Sequence, residues 1–270
     1  MSVATHKPAL ETVCVVANDR VAEGVGLVVL HAPRTAATVL PGQFVHLRIA
    51  TGADIILRRP FSVHRATSDR IEILYQVLGS GTLRLAEKAV GAEMDLLGPL
   101  GHGWQTPEGA SRVLLVAGGL GAAPLGMLAE QLAARGMAVF VAQGAPTGER
   151  LVARELFERV ARRVEYATDD GSVGERGFVI VPVARLLAEE RFDLVCTCGP
   201  EQMQRRVAAL AADAGVPCQV SLERLMACGI GACLSCVVST TTGLKRACVD
   251  GPVFDAREVM WDDPDCTLRH

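Results

Sequence analysis

Residues 113–124 read VLLVAGGLGAAP: five apolar residues, a glycine-rich turn, then small residues ending on a proline. An unbroken apolar run of this length fits a strand covered on both faces of a parallel sheet, where no polar alternation is needed. Gly118, Gly119 and Gly121 then form the turn into a helix, the context in which the pyrophosphate of a dinucleotide can approach the backbone. The spacing is not G-x-G-x-x-G, so the stretch marks a nucleotide-type α/β unit without specifying the standard dinucleotide fold.

Reading on toward the C-terminus, strands are predicted at 138–142, 164–167 and 193–197, and helices up to 134 and over 154–163, 182–190 and 201–214. Strands alternating with helices imply a parallel sheet with helices on both faces. Cys198, Gly199 and Pro200 follow the last of these strands. They therefore belong at the carboxyl edge, where open α/β sheets bind ligands, although a tight turn also explains them. Residues 168–172, TDDGS, leave another strand end, and an Asp-Gly turn accounts for them.

Upstream, residues 11–97 break into short strands separated by Gly, Pro, Asn and Asp, with sheet-like runs at 27–30, 44–49 and 71–77. A small antiparallel barrel is expected, with one helix over 81–90 turning Leu83, Leu85, Ala86 and Ala89 inward. Pro99, Pro107 and Gly109 then mark a linker. Within the barrel, Arg59, Pro60, Phe61 and Ser62 combine a guanidinium, a ring and a hydroxyl, a set suited to holding a pyrophosphate beside a flavin. Gly81 and Thr82 sit at the predicted helix start, where free amides favour phosphate. Thr82 or Ser80 acting as a helix cap is compatible with that role.

Residues 228–236 read CGIGACLSC, and Cys248 follows. The C-x4-C-x2-C…C spacing of Cys228, Cys233, Cys236 and Cys248 is that of plant-type [2Fe-2S] ligation. Gly229 and Gly231 permit the positive φ values with which a loop curls round a cluster. A zinc knob normally pairs two C-x2-C units at longer separation. A disulfide pair needs an oxidising compartment. Cys14, Cys196, Cys218 and Cys266 lie outside the pattern and read as small buried or incidental residues.

At 270 residues and 50% hydrophobic, the chain has room for two cores and an appendage. A net charge of -3 without massed Lys or Arg gives no footprint for nucleic acid. The N-terminal residues lack the apolar core of a secretory signal. The uncharged run 113–129 is interrupted by glycine and proline and is short for a membrane span. A reducing cytoplasm is the expected compartment.

In this order, RPFS, Gly81-Thr82, GGLG, CGP and the cysteine loop resemble the ferredoxin-NADP reductase superfamily with a C-terminal cluster domain. More narrowly, TDDGS at 168–172, SLERLMACGIGAC at 221–233 and CVDGPVF at 248–254 are similar to the electron transfer subunits of dihydroorotate dehydrogenase B. The resemblance spans roughly residues 12–261. It implies an α+β multidomain chain: an antiparallel FAD-binding barrel (1–108), an NAD-binding parallel α/β domain (109–217) and a small C-terminal [2Fe-2S] domain (218–270). It implies FAD on Arg59, Pro60, Phe61 and Ser62, on Leu74, Tyr75 and Gln76, and on Gly81 and Thr82. It also implies NAD near Gly118, Gly119, Gly121, Gly199 and Pro200, with Cys198 beside the nicotinamide and the four loop cysteines on iron. The implied partner is an FMN-containing catalytic subunit that oxidises dihydroorotate, two of each forming a heterotetramer in pyrimidine synthesis. Phe61 departs from the superfamily, which often has Tyr; its ring is still expected to pack on the flavin. Related readings are a hydrogenase gamma subunit, a subunit of an NADH-dependent ferredoxin:NADP+ oxidoreductase, an oxygenase reductase, or a non-enzymatic iron-sulfur sensor. Residues 143–145 carry no acidic group for a ribose hydroxyl, while Glu149 and Arg150 are compatible with either NAD or NADP.

Overall fold

The computed structural model describes residues 7–50 and 55–262. The first unit is a seven-stranded antiparallel sheet in the order β4-β3-β7-β1-β2-β6-β5. Its strands are β1 (Ala9–Ala22), β2 (Val25–His31), β3 (Phe44–Arg48), β4 (Arg59–Ser62), β5 (Arg65–Ala66), β6 (Arg70–Gln76) and β7 (Glu93–Leu100). β4 and β5 are consecutive in the chain yet lie at opposite edges of the order, so the crossing between them curls the sheet toward closure. The interior is filled by alternate residues such as Val13, Val15, Val28, Leu30, Val45, Leu47, Ile71 and Ile73, the period-2 pattern of a sheet with one buried face. A short helix α1 (Pro33–Ala36) joins β2 to β3.

The helix expected over 81–90 is shorter: α2 spans Ser80–Ala86. Only Leu85 of its predicted inward set is buried; Leu83, Ala86 and Ala89 face solvent. The chain leaves the helix because Gly91 N–H donates to Val15 O, a bond that draws this segment toward β1. Pro99, expected in a linker, lies within β7.

The second unit is a seven-stranded sheet ordered β11-β10-β9-β8-β12-β13-β16. It comprises β8 (Arg112–Gly118), β9 (Ala138–Ala145), β10 (Arg163–Thr168), β11 (Glu175–Arg176), β12 (Leu194–Cys198), β13 (Cys218–Ser221) and β16 (Val253–Asp255). All pairings are parallel except β13 with β16. The apolar run of β8 is buried on both faces, as its composition requires: Val113, Leu115 and Ala117 face one core, Leu114 and Val116 the other. α3 (Ala123–Ala134) and α4 (Arg154–Val160) supply the first core; α5 (Ile180–Glu189) and α6 (Glu201–Asp213) supply the second.

β13 and β16 both lie beyond residue 217, so this sheet extends past the expected domain boundary. The segment between them carries the hairpin β14 (Val237–Thr240) and β15 (Gly243–Arg246) and the four loop cysteines. It rejoins the sheet at a neck where Leu222 N–H donates to Pro252 O at 2.9 Å. The core continues through it, with Cys236, Val238, Ala247 and Cys248 packed in one cluster with Phe44, Leu100 and Val220. Among the described residues no helix is long and apolar enough to cross a membrane.

The barrel docks on α3. His64 Nδ1 donates to Ala123 O at 3.0 Å, Trp104 Nε1 donates to Pro124 O at 3.0 Å, and Arg65 pairs with Glu130 at 2.9 Å. Burial holds His64 neutral, pulling it down to about 4.

Candidate functional site

β8 is the central strand: the chain steps outward from it through β9, β10 and β11, then crosses back to lay β12 on its other side. The carboxyl ends of β8 and β12 therefore flank a topological switch point, where open α/β sheets leave a crevice. A cavity of about 630 Å³ occupies it, lined by Gly118, Gly119, Gly121, Gly199 and Pro200 from the sheet and by Glu23, Val25 and Gln76 from the barrel. Three glycines are required sterically. A Cβ on Gly121 would land on the Cys198 carbonyl; one on Gly118 would stand 2.7 Å from Cδ of the Pro200 ring; one on Gly199, at φ +146°, would stand 2.9 Å from Gly118 Cα. The two loops thus close on each other backbone to backbone, as their strands do in register, Cys198 opposite Ala117.

Cys198 ends β12 and is 3% exposed. Burial, reinforced by the Glu223 carboxylate, raises its thiol far above the ordinary range, so it stays protonated. It is suited to packing and weak hydrogen bonding rather than nucleophilic attack. Glu223, which also lines the cavity, was not singled out from sequence. Its position five residues ahead of Cys228 ties the cysteine segment to the crevice, and only the fold shows this. Asp169 and Arg150 line the far side of the cavity. The rest of TDDGS forms the expected turn: Gly171 at φ +77°, and Asp170 Oδ1 accepting from Ser172 N at 3.0 Å.

On the barrel, Arg58 and Arg59 divide their tasks. Arg58 is engaged by Asp95 in a bidentate pair, both bonds at 2.9 Å, which holds the Asp95 carboxyl below its usual range. Among the described residues Arg59 donates to backbone carbonyls only, to Leu57 O at 3.0 Å and Arg58 O at 3.5 Å, and its stem passes over Gly81 in the first turn of α2. Arg59 and Gly81 are therefore together. The N-cap of α2 is Gly79 rather than Thr82 or Ser80, and the Thr82 hydroxyl is occupied in bracing that cap, accepting from Leu78 N at 2.9 Å and Gly79 N at 3.3 Å. Phe61 does not present its ring outward. It is packed in the barrel core, edge-on to Tyr75 at 6.5 Å, because residue 61 falls on the inward phase of β4. Tyr75 likewise points inward and donates to Asn18 Oδ1 at 2.8 Å, leaving Leu74 and Gln76 on the side of the second unit.

The cysteine loop curls as its glycines allow, with Gly229 at φ +73° and Gly231 at φ +80°; Leu234 takes φ +60° without being glycine. Amides of Ala232 and Cys233 point at Cys228 Sγ, at 3.3 and 3.4 Å. Among the described residues no three His, Cys, Asp or Glu side chains gather as ligands of one metal ion. The thiols stand instead as two neighbouring pairs, Cys228 with Cys233 and Cys236 with Cys248, the first-named thiol of each acting on its partner's proton affinity. Amides aimed at sulfur are what an iron-sulfur cluster gains from its surroundings. Hydrogen bonds from Ser235 draw the Cys233 thiol down to about 6, toward the thiolate a metal needs; burial pushes Cys248 up to about 12. The first pair reaches the surface, while Cys236 and Cys248 are each 2% exposed. The eight described cysteines are all free thiols, and Cys266 lies outside the described residues.

An antiparallel barrel docked on a parallel nucleotide sheet, with a crevice between them, defines a flavoprotein reductase of the ferredoxin-NADP reductase type. The NADH-dependent reduced ferredoxin-NADP oxidoreductase superposes with a TM-score of 0.85 at 32% identity, over 92% of this chain and 90% of its own. The ferredoxin reductase of carbazole 1,9a-dioxygenase shares the fold at a TM-score of 0.66 and 21% identity, over 80% of this chain and 68% of its own. Residues 223–260 match the iron-sulfur cluster binding domain of dihydroorotate dehydrogenase B. Along the chain as a whole, the dihydroorotate dehydrogenase B (NAD+) electron transfer subunit of Desulforamulus reducens is 38% identical over 86% of this chain and 90% of its own length. That of Bacillus caldolyticus is 42% identical over 82% and 86%. This chain belongs to the family of dihydroorotate dehydrogenase B electron transfer subunits.

Proposed function

We propose that this chain takes electrons from an FMN-containing, dihydroorotate-oxidising catalytic subunit and delivers them to NAD+, through a [2Fe-2S] cluster and FAD, in pyrimidine synthesis in the cytoplasm. The observation that carries the reading is the meeting, in one chain, of the glycine-lined crevice, the Arg59 strand and the paired cysteines of a cluster-binding segment. Bound there, the flavin would exchange hydride with the nicotinamide and single electrons with the cluster.

The chain's own residues bind and orient. Arg59, whose Nη1 donates to the Leu57 and Arg58 carbonyls, offers its guanidinium to a flavin pyrophosphate, with the first turn of α2 beside it. Gly118, Gly119 and Gly121 leave space for the dinucleotide phosphates, and Gly199 and Pro200 close the opposite wall. Cys198, buried and protonated, fills the end of β12 without adding charge beside a nicotinamide. No side chain here need move a proton, since hydride transfer asks the protein for position and electrostatics. Cys228 and Cys233 face outward toward the donor and Cys236 and Cys248 inward. Two such chains with two catalytic subunits form the proposed heterotetramer.

The test is anaerobic co-purification with the dihydroorotate-oxidising partner. FAD, iron and sulfide retained by this chain, with dihydroorotate-dependent NAD+ reduction only in the mixture, support the proposal. Turnover with reduced ferredoxin in place of dihydroorotate would favour the function named for the 32%-identical oxidoreductase.

A further inference from the structure

Pairing of β3 with β4 sets His46 opposite Pro60 and Phe44 opposite Ser62. Residues directly opposed in an antiparallel pair project to one face. Val45, Leu47 and Phe61 take the barrel interior, so His46 and Phe44 share the outer face with Pro60 and Ser62 of the flavin strand. The cysteine loop covers His46 on that face. The His46 ring lies against Gly229, where an added Cβ would stand 2.9 Å from Cε1 and 3.0 Å from Nδ1, and Gly229 directly follows Cys228. His46 is 0% exposed, and among the described residues neither ring nitrogen has a hydrogen-bond partner. Of the groups beside it, the Phe44 ring at 5.7 Å carries no polar acceptor, and Arg58 is a donor already held by Asp95. A buried imidazole with both nitrogens unmet is costly, and an apolar side chain of similar size would remove the cost. The ring abuts the backbone of the residue that follows Cys228, on the face the cysteine loop covers.

We propose that His46 donates a ring N–H to a sulfur of the iron-sulfur site at Cys228, tying that site to the flavin strand and raising its reduction potential. Reduction adds negative charge to the cluster, and a donor to sulfur stabilises the reduced form more than the oxidised form. His46 is thus a positioning residue set between the two redox sites. The proposal rests on the reading of the cysteine loop as a cluster site.

The experiment uses full-length protein purified anaerobically with ¹⁵N-histidine, reduced with dithionite and examined by pulsed EPR. A ¹⁵N coupling to the cluster spin is expected in the wild-type protein and in His102→Gln. Redox titration should give a more negative midpoint in His46→Leu, with His46→Gln, whose amide can donate, returning toward wild type. A wild-type cluster without ¹⁵N coupling overturns the proposal, however the variants fold. So does loss of the coupling in His102→Gln, or an unchanged midpoint in a cluster-containing His46→Leu. A wild-type protein with no iron-sulfur signal overturns the reading of the loop instead.

Discussion

Two adjacent arginines carry unequal burdens, and the difference is measurable. Arg59→Ala removes a charge-assisted contact from the proposed phosphate site and is expected to weaken FAD binding by about 1.5–3 kcal/mol, seen as flavin loss on dilution. Unaltered FAD affinity would move the phosphate elsewhere. Arg58 acts on the fold through Asp95, whose side chain is 41% exposed, so their pair contributes at most about 1 kcal/mol. The Asp95 carboxyl is depressed by Arg58, and its contribution is therefore present above the ordinary aspartate value near about 4 and lost as pH falls through the folded one. The difference in melting temperature between wild type and Asp95→Asn should accordingly be found at pH 7 and vanish in strong acid. For the metal site, single Ser replacements at Cys228, Cys233, Cys236 and Cys248 should each abolish or shift the cluster spectrum, while Cys14→Ser leaves it intact. A normal spectrum from Cys248→Ser assigns the fourth ligand to another residue.

At the scale of elements, the crevice depends on two strand ends that touch through glycine. Gly121→Ala brings a methyl onto the Cys198 backbone, which no side-chain rotation relieves. The variant should lose about 1–3 kcal/mol of stability and bind NADH more weakly, read by thermal melts and by titration of NADH. Melting and affinity equal to wild type would mean that the β8 and β12 loops are not packed as described. This element was plain in the sequence, because an apolar run with no alternation admits few environments and the glycines punctuate it. The cysteine pattern was equally plain, since ligand spacing is a local property. Other features depend on contacts between residues distant in sequence. β13 and β16 find each other across the whole cysteine segment. α2 ends early because β1 draws the next segment away. The inward phase of Phe61 follows from β4 pairing with β3. His46, one histidine in an apolar strand, carries no local signal at all; only the loop that covers it sets it apart.

For the whole molecule, the described residues are used up by a barrel, a nucleotide sheet and a cysteine segment, and they form no (β/α)8 scaffold for a second flavin. Purified with FAD and cluster, the chain should bleach with NADH and stay oxidised with dihydroorotate until the catalytic subunit is added. Reduction by dihydroorotate without a partner would sink the proposed division of labour. The neck at Leu222 and Pro252 has a further consequence. Everything that would touch iron hangs from two neighbouring strands of a sheet whose other ladders are formed without it. Because the ends are pinned side by side, lengthening the excursion is cheap, about 0.6 kcal/mol for each doubling. Toward the nucleotide sheet the cysteine segment is therefore a cassette whose length can change while the sheet keeps its register, and what fixes its inner face is the packing of Cys236, Val238 and Cys248 against Phe44 and Leu100.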